Sequence, residues 1–516
     1  MKTIESFGIG VVGTGAMGRG IAQLFAQAGH AVSLFDAAPD AAQAAKASVA
    51  DALGRQVDKG RLARDACDAT LARMRPVGTL ADLSGCDLVI EAVVENLDVK
   101  KRLFADLEAL VAPDAILATN TSSLSVTAIA AACKAPGRVA GYHFFNPVPL
   151  MKVVEVIRGV RTEPSVADTL VALTKRTGHA PVVAQDTPGF LINHAGRGYG
   201  TEALKLVGEG VAEPHMVDRI MREQVVFGER GGFRLGPFEL LDLTGLDVSH
   251  PVMESIYRQF YDEPRFRPSA LAALRVSGGL LGRKTGEGFY RHEGGRQVAV
   301  PEPTPPVAAG PAPFSKVWTP SGTHRTAIAD LVEALGGTVD DRHGPSADSL
   351  VVLAPRGHDA SWAATESGLP GERCVALDTL FPYGAKACTR RTLMTTPATD
   401  PALAEAAQRL FGADGAKVSL IRDSAGFVAQ RVVAMVVAVA CEIAQQRIAS
   451  PADIDLAVRL GLGYPLGPLS MGDALGAAAV AGLLDGMHET TGDPRYRPSL
   501  WLRRRAALGL KLTHAD

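Results

Sequence analysis

Short apolar runs alternate with helically spaced apolar positions over the first third of the chain. Phe7 to Val12 is a strand-like run, a glycine turn follows, and Ile21 to Ala28 keeps helical spacing until Gly29, which predicts strand, turn and helix. Ala31 to Phe35 predicts a second strand that ends on Asp36. An alanine-rich stretch from Ala41 to roughly Met74 predicts a long helix, and Leu88 to Val94, Ile116 to Thr119 and Val139 to Gly141 predict further strands. Strand and helix in alternation imply a doubly wound, mostly parallel sheet. After Asp186 the texture changes to helical spacing through Phe190 to Val207 and beyond, so a mainly helical second domain is expected.

Residues 301–313 hold six prolines, too many for a packed element, and predict an extended linker. Across it lies an internal repeat. Asp186-Thr-Pro-Gly189-Phe190 recurs as Asp423-Ser-Ala-Gly426-Phe427, Leu235-Gly-Pro as Leu466-Gly-Pro, and Pro264-Arg-Phe-Arg-Pro-Ser269 as Pro494-Arg-Tyr-Arg-Pro-Ser499. The separations of 237, 231 and 230 residues keep the three matches in order and close to one register, so the helical domain is duplicated. Between the linker and the second copy, apolar runs at Leu350 to Leu353 and Cys374 to Leu377 predict a shortened α/β segment. That segment has no glycine fingerprint and is not expected to bind a dinucleotide.

A length of 516 residues exceeds what one hydrophobic core usually supports. With 47% hydrophobic and 21% charged residues and a formal net charge of -2, neither disorder nor a nucleic-acid surface is favoured. The six cysteines show no CxxC pair and no histidine cluster of metal-ligand type, so reduced thiols, a cytoplasmic location and no metal are expected. The longest apolar run, Val432 to Cys441, is about half the roughly 20 residues a bilayer span needs, which predicts a buried helix and no membrane partner. The N-terminus lacks the basic and apolar regions of a signal peptide.

Gly13-Thr-Gly15-Ala-Met-Gly18 follows a strand and opens a helix, the context in which a GxGxxG turn binds a dinucleotide. The first glycine permits the tight turn, the second lets backbone approach the pyrophosphate, and the third lets helix and strand pack closely. Asp36 has two readings: acceptor for a ribose 2′-hydroxyl, which selects NAD over NADP, or cap of the following helix. Downstream, His143 stands before Phe-Phe-Asn146-Pro with Glu155 twelve residues on. Oxidising a secondary alcohol removes a proton that a histidine can take near neutral pH, and a carboxylate on its other nitrogen fixes the tautomer. An unpaired carboxylate buried within Val153-Val154-Glu155-Val156-Ile157 would be costly, so Glu155 either has a partner or faces solvent.

Val89-Ile-Glu91-Ala-Val-Val-Glu95-Asn-Leu-Asp-Val-Lys100, Asn120-Thr-Ser122-Ser-Leu-Ser, Gly141-Tyr-His143-Phe-Phe-Asn146-Pro, Met151-Lys-Val-Val-Glu155-Val and Asp186-Thr-Pro-Gly-Phe-Leu-Ile-Asn193 follow one another in a characteristic order. In this the chain resembles the L-3-hydroxyacyl-CoA dehydrogenases over about residues 7 to 290, with a second copy of that family's C-terminal domain later. The resemblance implies His143 as catalytic base and Glu155 as its partner. Ser122 and Asn193 would meet the substrate or the reacting oxygen, Glu95, Lys100 and Asn146 the cofactor, and Lys59 the CoA. Asn193 could instead brace a helix, Ser122 could be a turn hydroxyl, and Lys59 a surface lysine.

The implied architecture is a Rossmann-type NAD-binding domain (1–185), a helical domain (186–295), a Pro-rich linker (296–314), a degenerate α/β segment (315–422) and a second helical copy (423–516). The implied reaction is oxidation of an (S)-3-hydroxyacyl-CoA of the 3-hydroxybutyryl or 3-hydroxyadipyl type, as in β-oxidation or phenylacetate breakdown. A hydratase segment is not expected, so a multifunctional fatty-oxidation subunit is not either. Two other readings stand beside this one: dehydrogenation of a free hydroxy acid or sugar acid, and a non-catalytic NAD-binding protein. In the second copy Gln430 takes the place of Asn193 and no His-Phe-Phe-Asn-Pro precedes it, so a second active site is not expected. Because the family's helical domain makes its dimer contact, the two copies are expected either to pair within one chain or to support a homodimer.

Overall fold

The computed structural model describes residues 3–303 and 312–516; the core of the expected linker, 304–311, lies outside the described residues. The chain divides into two compact units that do not follow chain order. One gathers the chain up to His194 with Gln446–Leu462, and the other holds Ala195–Gln445 with Gly463–Asp516.

The first unit is built as β1 (Ile9–Val12), α1 (Ala16–Gln27), β2 (Val32–Phe35), α2 (Ala41–Asp58), α3 (Arg64–Ala72), β3 (Met74–Pro76), β4 (Leu88–Glu91), α4 (Leu97–Leu110), β5 (Ile116–Thr119), α5 (Val126–Ala130), β6 (Val139–Phe144), β7 (Val153–Arg158), α6 (Pro164–Arg176), β8 (Ala180–Gln185) and α7 (Ile192–Ala195). Its eight strands run in the order β3-β2-β1-β4-β5-β6-β7-β8, parallel except where β7 meets β6 antiparallel. Strands buried on both faces need continuous apolar runs, and β1, β4, β5 and β6 are buried at every residue. Ile21, Leu24 and Phe25 of α1 close one face with Val11 and Leu34; Phe104 and Leu107 of α4 close the other. The long helix expected from Ala41 to Met74 is two helices. Gly60, at φ +65°, turns the chain after Lys59, and Met74–Pro76 leaves for the sheet edge as β3.

The second unit holds α8 (Arg197–Gly208), α9 (Pro214–Glu223), α10 (Pro237–Thr244), α11 (Leu246–Gln259), α12 (Ala270–Ser277) and a small hairpin, β9 (His292–Glu293) with β10 (Arg296–Gln297). Then come β11 (Lys316–Trp318), α13 (Arg325–Ala334), β12 (Ser349–Leu353), α14 (Ala360–Glu366), β13 (Cys374–Leu377), β14 (Arg390–Thr395), α15 (Pro401–Phe411) and β15 (Lys417–Ile421). The second helical copy is α16 (Val428–Gln445), α17 (Pro451–Gly461), α18 (Pro468–Leu475), α19 (Ala477–Thr491) and α20 (Leu500–Leu508), of which α17 belongs to the first unit. Helix α16 is long and apolar enough to cross a membrane, yet it is buried among α8, α18, α19 and α20. Its contact with α8 is close: a Cβ on Gly198 would lie 2.8 Å from the Met435 carbonyl oxygen. Arg431 of α16 crosses the joint buried, its Nε 2.7 Å from Glu202 and its Nη1 2.7 Å from Glu209.

The five-stranded sheet β11-β12-β13-β14-β15 repeats the strand senses of β4 to β8: parallel, parallel, antiparallel, parallel. Register repeats too, since Glu155 pairs with Val182 on β8 and Thr392 with Ser419 on β15. Asp186 accepts from Ser125 Oγ and Thr127 N as Asp423 accepts from Ala360 N and Ser361 N. The shortened α/β segment is therefore the second half of the first sheet again, without the strands that carry the glycine fingerprint. The duplication thus covers more than the helical domain.

Candidate active site

Strand register brings His143 and Glu155 together. On the antiparallel β6–β7 ladder His143 lies directly opposite Glu155, and residues opposite each other point to the same face. Nδ1 of His143 is 2.5 Å from Oε2 of Glu155, with His143 5% and Glu155 0% exposed. The other carboxylate oxygen, Oε1, accepts from Leu191 N at 3.0 Å and Ile192 N at 2.7 Å, so burying this charge leaves it satisfied. Those two N–H groups reach it because Gly189 (φ +76°) and Phe190 (φ +50°) turn the chain sharply into α7. A non-glycine residue in this left-handed region costs about 1–2 kcal/mol. The Phe190 ring in return packs edge-on to the imidazole at 5.9 Å, and the Phe145 ring lies 4.4 Å from it. Asn193 follows Ile192 in α7 and is half-buried.

Ser122 is exposed on the loop after β5, and Glu95 holds that loop. Glu95 Oε1 accepts from Thr121 Oγ1 at 2.6 Å, Ser122 N at 3.0 Å and Ser123 Oγ at 2.9 Å. Burial pushes the Glu95 carboxyl upward, but these donors and the Lys100 ammonium outweigh it and hold it below its ordinary range. Lys100 is buried, 2.6 Å from Glu91 and 3.3 Å from Glu95, and Glu91 also takes the Thr119 hydroxyl at 2.7 Å. Asn120 Oδ1 accepts from Phe144 N at 2.9 Å, tying the Ser122 loop to the strand that carries His143. Glu95 and Lys100 thus organise the loop, whatever else they touch. Sequence reasoning missed Glu91 and Asn120 as builders of the site; the signal for Glu91 was a carboxylate inside the apolar run Leu88 to Val94. The Leu191 and Ile192 donors are backbone groups with no side-chain signal.

The residues present fit a dinucleotide. A Cβ on Gly13 would lie 2.6 Å from the Ala92 oxygen and one on Gly18 1.8 Å from the Gly13 oxygen, so both are glycine for packing. A Cβ on Gly15 would meet nothing within 4 Å, which leaves open space at the N-terminus of α1, where no side chain caps the free N–H groups. Asp36 accepts from Thr14 N at 2.7 Å, Thr14 Oγ1 at 2.9 Å and Ala38 N at 3.0 Å. It braces the fingerprint, while the N-cap of α2 is Asp40, so the capping reading is not realised. Burial raises the Asp36 carboxyl and these donors more than offset it, keeping it anionic and lowered. Asn146 is exposed beyond Phe145, and Lys59 is exposed at the end of α2; neither is brought onto the His143–Glu155 pair by a described bond.

The repeated sheet shows what became of the same positions in the second half. Extending the β13–β14 ladder by one pair sets Asp378 opposite Thr392, the places of His143 and Glu155, and Gln430 takes the place of Asn193. Asp378 is buried and accepts from Gln430 Nε2 at 3.0 Å, Gln224 Nε2 at 2.9 Å and Leu380 N at 3.1 Å. Thr392 Oγ1 donates to Gln224 Oε1 at 2.5 Å. Every partner is internal, and no imidazole stands there.

The 3-hydroxyacyl-CoA dehydrogenase NAD binding domain matches residues 8–187, and that family's C-terminal domain matches 189–292 and again 426–513. The chain is 37% identical over 500 residues, 97% of each chain, to a 3-hydroxyadipyl-CoA dehydrogenase of Escherichia coli. A probable 3-hydroxybutyryl-CoA dehydrogenase of Deinococcus radiodurans is 41% identical over 283 residues, 55% of this chain and 99% of that one. The crystal structure of a 3-hydroxybutyryl-CoA dehydrogenase from Escherichia coli superposes with a TM-score of 0.83 at 35% identity over 98% of both chains.

Proposed function

The chain belongs to the 3-hydroxyacyl-CoA dehydrogenase family, an NAD-dependent oxidoreductase family, and from that premise we propose that it oxidises an (S)-3-hydroxyacyl-CoA to the 3-oxoacyl-CoA with His143 as general base. Bound NAD supplies the acceptor for the hydride leaving C3. His143 takes the hydroxyl proton at Nε2, because its Nδ1–H is committed to the Glu155 carboxylate. Glu155 holds that tautomer and stabilises the imidazolium formed, and its own orientation is held by Leu191 N and Ile192 N. The rings of Phe145 and Phe190 pack against the imidazole and help bury the pair. Ser122 and Asn193 orient the thioester and the reacting oxygen, and exposed Lys59 offers its ammonium to the CoA phosphates. Positioned proton transfer of this kind contributes about 10² to 10⁴ in rate.

The observation that carries the reading is the 2.5 Å contact of a buried His143 with an otherwise satisfied Glu155 on the sheet that carries the fingerprint. Similarity over nearly the whole chain to a 3-hydroxyadipyl-CoA dehydrogenase supports a dicarboxylic acyl group, and similarity to 3-hydroxybutyryl-CoA dehydrogenases supports a short one. NADH formation across a series from 3-hydroxybutyryl-CoA to 3-hydroxyadipyl-CoA, beside the free acids, tests it. Turnover of the thioesters alone is expected; turnover of free acids alone, or none, contradicts it. The α8–α16 joint is read as the intrachain counterpart of the family's dimer contact.

A further inference from the structure

Although it follows α16 in the chain, α17 packs on the first sheet, against β7 and β8; Gln185 N donates to Ile448 O at 2.8 Å and Ala184 bridges Ala449. Its last residue, Gly461, faces Ile192. A Cβ at 461 would lie 2.7 Å from Ile192 Cδ1, 3.1 Å from Cγ2 and 3.3 Å from Cγ1. Ile192 is the residue whose N–H makes the shorter of the two backbone bonds to Glu155, at 2.7 Å. The contacts therefore run from Gly461 to Ile192, to Glu155 and to His143. Glycine within a helix is less favourable than alanine, and Gly461 has no left-handed φ to require it, so its reason is space.

The reciprocal place shows the alternative. Helix α9 opens on Pro214 as α17 opens on Pro451, and ten residues on from each stand Gln224 and Gly461. Arg422 N donates to Val211 O at 3.0 Å just before α9, the counterpart of the Gln185–Ile448 bond before α17. Gln224, at the end of α9, bonds Asp378 and Thr392. One position thus carries a side chain that fills the former site, and no side chain where histidine and glutamate remain.

We propose that Gly461, supplied by the second helical copy, is a positioning residue for the His143–Glu155 pair: it seats Ile192 so that the Leu191 and Ile192 N–H groups aim at the Glu155 carboxylate. This rests on the dehydrogenase reading above and gives the duplicated half a task in the single site. The test is steady-state NADH formation from 3-hydroxybutyryl-CoA by the full chain. Gly461→Val is expected to lower kcat about tenfold to a hundredfold, as small misplacements of reacting groups do. Its KM values for NAD and thioester stay within about twofold, because the residue touches neither. Gly461→Ala lowers kcat less. Ile192→Ala in the Gly461→Val background is expected to restore kcat to that of Ile192→Ala alone, a coupling that general destabilisation would not produce. Gln224→Gly leaves kcat unchanged.

A folded Gly461→Val with wild-type kcat, or a loss that Ile192→Ala does not relieve, overturns the proposal. If Gly461→Val does not fold, Gly461→Ala decides, and wild-type kcat there overturns it equally. A wild-type chain without thioester turnover refutes the dehydrogenase reading and this proposal together, whereas an active wild type with indifferent Gly461 variants refutes this proposal alone.

Discussion

At one strand register the first half of the chain sets His143 opposite Glu155, and the second half sets Asp378 opposite Thr392. Both places are buried at the same ends of matching sheets, and both are satisfied. They differ in what satisfaction leaves over. Glu155 uses one oxygen for two backbone donors and the other for Nδ1 of the imidazole, which leaves Nε2 for the proton transfer proposed above. Asp378 uses both oxygens on side-chain amides and a backbone N–H. A buried carboxylate is thus reactive machinery or filling according to whether its partner keeps an unused proton site.

Glu155→Gln should break the comparison most. It keeps the shape but cannot stabilise the imidazolium, so kcat is expected to fall about 10² to 10⁴, read as NADH formation, with NAD binding retained. Next is Arg431→Ala at the α8–α16 joint, which takes the nearer guanidinium from the buried Glu202 carboxylate and leaves it the Tyr496 hydroxyl at 2.7 Å and Arg495 at 3.7 Å. Removing one partner of a buried pair costs about 3–5 kcal/mol, seen as a lower denaturant midpoint. Activity per folded chain at low denaturant should hold, since Arg431 and Glu202 belong to the second unit and the His143–Glu155 pair to the first.

Asp36→Ala sharpens the cofactor side. Losing bonds from a charged acceptor, about 1.5–3 kcal/mol each, should raise the KM for NAD tenfold or more and narrow the preference over NADP. The smallest effect belongs to Asp378→Asn. Burial raises the Asp378 carboxyl above its ordinary 3.8 in the folded chain. A folded-state value above the unfolded one means that the fold binds the extra proton, so this group's contribution to stability falls as pH rises past the unfolded value. Asp378→Asn should therefore leave Tm near the wild type at about pH 4, raise it at about pH 8 and leave kcat alone.

How far these features were legible depended on whether a side chain or a backbone group carried them. The fingerprint, His143 and Glu155 could be read because the chemistry needs particular side chains in a short span, and alternation set the pair on facing strands. The break at Lys59-Gly60 was not, because alanine-rich sequence on both sides favours helix and only the left-handed Gly60 stops it. Nor were the Leu191 and Ile192 donors, which any residue could supply. The relation of β11–β15 to β4–β8 was hidden because what it preserves is strand sense and register, which apolar exchanges leave intact while erasing sequence likeness. The route of α17 onto the first sheet could not be read at all: the Gln185–Ile448 backbone bond, the Ala184–Ala449 bridge and packing against β7 and β8 carry it.

In the proposed mechanism one base, in the first half of the chain, does the chemistry. That is tested most directly by single-turnover NADH formation with His143→Gln at saturating NAD and 3-hydroxyacyl-CoA, alongside NADH binding by the same variant. Binding is expected to persist while the rate falls by about 10² to 10⁴. A rate within a few fold of the wild type would contradict it.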